Sequence, residues 1–435
     1  MIRRKSLRAV LTSLPLILLF ALGLRLGFAW NYQRLAPRQA LRVIPFLFES
    51  GNIAYSVATG HGFASPFHVD TGPTAWTTPL YPLLLGGIMR LFGPYTFASY
   101  VAAVLTNILF STLVCVPLYL AAKRIGGVRL AALAGWLWAV FPNAILLTYE
   151  SLWETSLAAL FGATILWATL RVAESQSWRA WCGYGLLWGL ALMTNAVFLA
   201  LLPFLLWWMI GQVVQPAAGW QPARRVLLTL GIAGLCCVPW TVRNYEVFHA
   251  FVPLRSILGL QLWVGNNPDA KVVWLGGQHP IHDSAEREHY VEIGETAYMR
   301  EKERGAVGYM LAHPRHEAEL IAGRFVSFWS GGSPSPIRDF LRSRSVWFRY
   351  VLIFNIAMAA GTVAGLIRLR RVQSVYLFPV AVFPLILPWA YYLTLSLPRY
   401  RHPIDPVLIL LASATAVGAH TVPSGHGIDA SNSEI

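Results

Sequence analysis

The chain has 435 residues, of which 56% are hydrophobic and only 12% charged, with 18 Trp and 22 Phe. Soluble domains carry about 25% charged residues, so this balance excludes a soluble globular protein and points to a multi-pass, all-α membrane protein. The net charge of +14 sits in short clusters between apolar runs rather than along one stripe, which argues for membrane topology and against a nucleic-acid partner.

A membrane-spanning helix needs roughly 20 mostly apolar residues. The first such run covers residues 9–30, behind Arg3, Arg4, Lys5 and Arg8. It lacks a small-residue cleavage site and is long for the apolar core of a signal peptide, so it reads as an uncleaved span. Residues 31–94 follow as an outer loop, and within it the stretch FESGNIAYSVATGHGFASPF (48–67) stands out. At about 100° per residue, Phe46, Leu47, Ile53, Ala54, Val57 and Ala58 gather on one side of a helix, while Glu49, Asn52 and Ser56 line another. Gly60 ends the pattern where a helix C-terminus wants it. Further spans are expected at 95–122, 129–147, 151–171, 180–194, 196–213, 226–243, 346–367, 373–395 and 404–420, about ten in all. Thr194-Asn195 is a thin turn between two short helices and leaves the count around 180–213 open.

With a cytoplasmic N-terminus, the inner loops hold Lys123, Arg124 and Arg129, then Arg171 and Arg179, then Arg224 and Arg225, and finally Arg368, Arg370 and Arg371. Every inner loop is short and basic, as the positive-inside rule requires, and both termini fall on the inner side. The chain divides into an N-terminal transmembrane module (1–243) whose first outer loop is 31–94, a long outer region (244–345), C-terminal transmembrane helices (346–420) and a disordered tail (421–435). Within the long outer region, 285–304 reads as a charged helix and 314–329 as an amphipathic one. Cys115, Cys182, Cys236 and Cys237 lie in or at the edge of apolar spans, so neither a disulfide framework nor a metal knuckle is expected.

Polar and ionisable groups beside a membrane are costly and mark function. Four places on the outer side qualify: Glu49 with His61 and Asp70 after it; Glu150 and Glu154 in TYESLWETS; Arg243 in PWTVRNY; and LPRYRHPIDP, 397–406, with Arg399, Arg401 and His402. All four fall at one membrane face. Carboxylates there can take a proton from an acceptor hydroxyl, and arginines can hold a phosphate through a planar fork of donors. No His, Asp or Glu spacing marks a metal site; a divalent cation could assist, but nothing requires one. Each residue also has a plainer role. Glu49 can solvate an interfacial helix, Glu154 can favour a helix N-terminus, Arg243 can anchor at the interface, and His61 and His402 can pack.

The order of these pieces resembles the polyprenyl-phosphate-sugar-dependent glycosyltransferases of the GT-C class. It is similar to the bacterial relatives of protein O-mannosyltransferases (glycosyltransferase family 39-like) and of the lipid A aminoarabinose transferase. FESGNIAYSVATGHGF, PTAWTTPLYPLLLGGIMRLFG, YESLWETS, PWTVRNY and LPRYRHPIDP carry the resemblance, in order, over most of the chain. It implies a sugar moved from a polyprenyl-phosphate donor to a lipid, glycan or protein acceptor, with inversion if displacement is direct, at the outer face of a bacterial cytoplasmic membrane. It puts the catalytic carboxylate at Glu49, with Glu154 in support, and the donor phosphate at Arg399 and Arg401. Arg243, His402, Asn52, His61 and Tyr81 are further candidates for substrate contact. Many relatives carry Asp or an Asp-Glu pair where this chain has Glu49-Ser50, which leaves Asp70 as an alternative base. A secondary transporter would show related halves and ionisable groups at the bilayer midplane. The chain shows no internal repeat, and its acids sit at helix ends. A non-catalytic assembly protein on the same fold is the other alternative.

Overall fold

The computed structural model describes residues 10–213, 221–273 and 276–416; Arg3, Arg4, Lys5, Arg8 and the tail 421–435 lie outside them. The described residues are helical nearly throughout, and among them the one strand-like feature is a single antiparallel bridge between Ala64 and Pro73. Helix α1 (Leu14–Leu35) has 22 residues. That is about 33 Å at 1.5 Å per residue, enough for a hydrocarbon core of roughly 30 Å.

A short amphipathic helix, α2 (Glu49–Ala58), and an apolar one, α3 (Leu80–Phe92), make up most of the first outer segment. The expected spans 95–122 and 129–147 form one helical run, α4 (Phe97–Leu113) and α5 (Cys115–Val140), broken inside α5 at Gly126-Gly127. Gly127 has φ 76°, a left-handed conformation that glycine adopts at no steric cost. There the chain doubles back, because the Trp138 indole N–H donates to the Ser111 carbonyl at 2.7 Å. Arg25, fully buried at mid-span in α1, holds this hairpin together. It donates to Ser111 Oγ at 2.9 Å and to the Trp138 and Ala139 carbonyls at 3.2 Å, in the last turn of α5 where carbonyls lack helical partners.

The bundle continues through α6 (Thr155–Val172), α7 (Trp178–Thr194), α8 (Leu202–Val213) and α9 (Gln221–Phe248). Five runs among the described residues are long and apolar enough to cross a membrane, with 97–140 taken as one. Other expected spans are assembled from shorter pieces. Thus 196–213 is a 3-10 turn followed by α8, and 373–395 is broken between Ile386 and Trp389. Arg124 pairs with Glu174, and Arg225 donates to Gln176 Oε1 at 2.5 Å, so three of the basic inner loops meet at one end of the bundle.

The long outer segment holds α10 (Leu258–Gly265), α11 (Ser284–Ile293), α12 (Glu295–Ala312) and α13 (Pro314–Ser330). The charged helix expected at 285–304 is two helices, parted at Gly294. The amphipathic one lies where expected. Helices α14 (Val346–Arg371), α15 (Leu377–Ile386) and α16 (Asp405–Ala414) complete the bundle. Gly162 of α6 lies where a Cβ would sit 2.0 Å from the Pro403 carbonyl oxygen, which lets the turn before α16 settle against α6.

The two outer segments are joined by one carboxylate. Glu295, 5% exposed, accepts from Thr74 Oγ1 at 2.5 Å, the Ala75 N–H at 2.8 Å, Ser256 Oγ at 2.6 Å and Tyr290 OH at 2.6 Å. Glu295→Ala strands these donors and is expected to destabilise the fold by on the order of 3 kcal/mol. A lower thermal midpoint in detergent, with faster proteolysis of both outer segments, is the expected readout; an unchanged midpoint would refute the assignment.

Candidate functional site

At the end of the bundle away from the basic loops, the outer elements line a cleft. Each wall comes from a different stretch of chain. Glu49 and Ser50 open α2, Trp76–Thr78 follow the point held by Glu295, and Trp153-Glu154 precede α6. Arg255 and His279 come from the long outer segment, and Arg399-Tyr400 from the last outer turn. Three of the four places singled out in the sequence therefore converge.

Glu49 is the first residue of α2, and its side chain is 12% exposed. Burial pushes its carboxyl above the ordinary range, and Glu154 adds to the push. Its own backbone N–H and Arg399 pull the other way. Oε2 is buried without a hydrogen-bond partner, and Oε1 lies 3.8 Å from His279 Nε2. Burial first, then His282 and Arg399, lower the His279 pKa to about 3, so the imidazole is neutral. Its Nδ1 accepts the Ile281 N–H at 3.2 Å, which puts the proton on Nε2, facing Glu49. Glu154 stands at the N-cap position of α6 without a capping bond from its side chain, and its Oε1 accepts from the Asn195 amide at 3.5 Å. Glu150 is exposed and does not line the cleft.

The arginines separate sharply. Arg399 rests its guanidinium 3.5 Å from the centre of the Trp153 ring, a cation–π contact. Neither Arg399 nor Arg255 makes a hydrogen bond or ion pair to the described residues, and both line the cleft. Arg401 does not. Buried, it donates to Asp405 Oδ1 at 2.7 Å, to the Phe328 and Trp329 carbonyls at 3.3 and 3.0 Å, and to Asn355 Oδ1, so every guanidinium nitrogen is engaged. The expected pairing of Arg399 with Arg401 is thus not what the geometry offers. His402 is held by Asp405 and stacks on Trp138, also away from the cleft.

Arg243 is spent on structure. It donates to the Thr74 carbonyl at 2.7 Å and the Phe63 carbonyl at 2.8 Å, closing the mouth of the hairpin that holds Asp70. Tyr81 lines the cleft with its hydroxyl on Asn107 at 3.0 Å. Asn52, His61 and Asp70 lie in a separate cavity. Arg255 and His279 were missed in the sequence. Neither sits in a periodic pattern, and only the folding of the long outer segment brings them in.

The sequence matches the family model of dolichyl-phosphate-mannose-protein mannosyltransferases over residues 76–242. No curated protein matches the chain in sequence. Among solved structures, the Archaeoglobus fulgidus oligosaccharyltransferase in complex with Zn and sulfate aligns at TM-score 0.52 and 11% identity, over 92% of this chain and 48% of its own. AglB from the same organism, with an inhibitory peptide and a dolichol-phosphate, aligns at TM-score 0.50 and 13% identity, over 86% of this chain and 46% of its own. ArnT from Cupriavidus metallidurans bound to undecaprenyl phosphate aligns over 91% of this chain and 77% of its own at 16% identity, but at TM-score 0.36, too low to establish a shared fold. The chain thus has the polytopic GT-C fold anticipated from the motifs, and it spans about half the length of the oligosaccharyltransferases it matches.

The two arginines of RYR should separate in a stability measurement. Arg401→Ala leaves Asp405 buried without its guanidinium partner, with His402 alone beside it, and is expected to cost about 3–5 kcal/mol. Arg399→Ala removes no protein hydrogen bond and should leave the thermal midpoint within a degree or two of wild type.

Proposed function

We propose that this membrane protein transfers a sugar from a polyprenyl-phosphate donor to an acceptor hydroxyl, with the cleft as its active site on the outer side of the bacterial cytoplasmic membrane and both termini cytoplasmic. The observation that carries the reading is the pair Arg255 and Arg399, two cations that make no hydrogen bond or ion pair to the described residues and line one cleft with Glu49. An ionised side chain beside a bilayer is retained where it meets an opposite charge. A lipid-linked phosphate supplies that charge, and its tail keeps the reacting bond at the membrane surface. The match to the mannosyltransferase family model and the fold shared with a lipid-dependent oligosaccharyltransferase support the same chemistry.

Glu49 acts as base. As the acceptor oxygen bonds to the anomeric carbon, its proton passes to Glu49 and the carbon–oxygen bond to phosphate breaks. The electron pair leaves with the polyprenyl phosphate, and the anomeric configuration inverts. Arg255 and Arg399 bind the phosphate as its charge grows, which lowers the barrier because they are preorganised. His279, neutral with Nε2–H toward Glu49, orients the carboxylate. Glu154 raises the affinity of Glu49 for the proton. A divalent cation would find Glu49, Glu154 and His279 here. Among the described residues, however, no three His, Cys, Asp or Glu side chains meet at ligand spacing, so no step is routed through a metal. The acceptor remains a lipid, a glycan or a protein.

Purified protein in nanodiscs, given radiolabelled polyprenyl-phosphate sugars and a membrane extract, should move label to an acceptor. Glu49→Gln should cut turnover about 10²–10⁴-fold at normal expression. Failure of the wild type to transfer from any donor would sink the enzyme reading. The rate should also fall as pH drops through the Glu49 pKa, which burial raises, so the acidic limb should lie above the roughly 4.3 of a free glutamate. A limb at or below that value would mean Glu49 is not the base.

A further inference from the structure

A second cavity, of about 950 Å³, lies between α2 and the hairpin at residues 63–74. The hairpin is built for it. Asp70 Oδ1 accepts from Ser65 Oγ at 2.9 Å and the Gly72 N–H at 3.1 Å, and the Asn52 amide ties Pro66 to α2 at 3.0 Å. Tyr55 and Tyr95 stack with centroids 5.0 Å apart and planes at 20°, and the Tyr55 side of the pair is 41% exposed. Ser56, 4% exposed, lines the cavity with a hydroxyl that has no partner in the protein. Burying a hydroxyl unpaired is costly, so a ligand is the natural partner.

We infer that this cavity binds a neutral saccharide, the acceptor glycan of the transfer, with a sugar ring on the Tyr55–Tyr95 platform and its hydroxyls on Ser56, Asn52 and Asp70. The inference rests on the transferase reading above and narrows its acceptor class. The lining favours this chemistry over the others. Among the residues whose side chains are described, no Lys or Arg lines the cavity while the Asp70 carboxylate does, a poor match to a phosphate or a lipid A headgroup. Beside its apolar residues the cavity carries Asn52, Ser56, His61 and Asp70, which an acyl chain would leave without further hydrogen bonds. An exposed aromatic face, whose π-system attracts C–H groups, beside separate hydrogen-bonding side chains matches a polyol with one apolar face. The polar stripe of α2 links the two cavities, since Glu49 lies in the first and Asn52 and Ser56 in the second.

Full-length protein in nanodiscs, titrated with fluorescent neutral α- and β-linked oligosaccharides and in parallel with polyprenyl phosphate, tests this. At least one saccharide should bind saturably, weaken tenfold or more in Tyr55→Ala, and weaken about three- to tenfold in Ser56→Ala. Ser56→Ala breaks no hydrogen bond within the protein, so it reports on the ligand and not on folding. Polyprenyl phosphate should bind all three proteins alike. If polyprenyl phosphate binds but no saccharide does, the inference is overturned and the transferase reading stands. Saccharide binding indifferent to both variants also overturns it, as does an unglycosylated Ser/Thr peptide whose binding Tyr55→Ala abolishes. Failure of polyprenyl phosphate itself to bind would strike the transferase reading instead.

Discussion

The Glu295 carboxylate fixes the position of nearly everything above the bundle. Taking a carboxylate out of water is expensive, and here four donors from three parts of the chain offset it. Ala75 adjoins Trp76 and Ser256 adjoins Arg255, so one ion sets two walls of the cleft. Arg243 grips Thr74 from the opposite side through its carbonyl, and by also holding Phe63 it passes the constraint on to the hairpin. Both cavities therefore hang from one buried carboxylate and one half-buried guanidinium, although neither Glu295 nor Arg243 lines either one.

The arginines follow one rule. Arg25 caps the last turn of α5, Arg324 takes the terminal Gly265 carbonyl of α10, Arg401 takes the Phe328 and Trp329 carbonyls near the end of α13, and Arg243 closes a hairpin. In each case the guanidinium fork binds carbonyls at a helix end or turn, where the acceptor capacity of the backbone is not filled by a helical ladder. Arg255 and Arg399 have no such carbonyls within reach. Their environment, not their residue type, sets them apart, and it leaves them as the cations available to a ligand.

This explains what could be read in advance. Several apolar runs of spanning length, the amphipathic helix before Gly60 and the one at 314–329 depend on local periodicity, and these appear in the structure close to their expected places. The break at Gly294 was lost in a run of charged residues that looked uniformly helical. In LPRYRHPIDP the two arginines looked equivalent. They sit two residues apart on a 3-10 helix of three residues per turn, so they face different ways, and Asp405, four residues beyond Arg401, claims that one. Arg255 and His279 gave no signal at all. Their part in the cleft is made by contacts between distant segments, which no local pattern records.

The stripe of Glu49, Asn52 and Ser56 was visible on a helical wheel as one polar face. The structure divides it between two cavities because the hairpin at 63–74 closes over its second half while the bundle mouth takes its first. From Glu49 to Ser56 the helix rises roughly 10 Å. A ligand that rests on the tyrosines and also offers a hydroxyl to Glu49 must therefore be extended, reaching along α2 rather than sitting in one pocket. The geometry thus favours a chain-like acceptor over a compact one. On the proposed reading, the two halves of this ten-residue helix serve two tasks, proton transfer at its N-terminus and acceptor recognition one to two turns on.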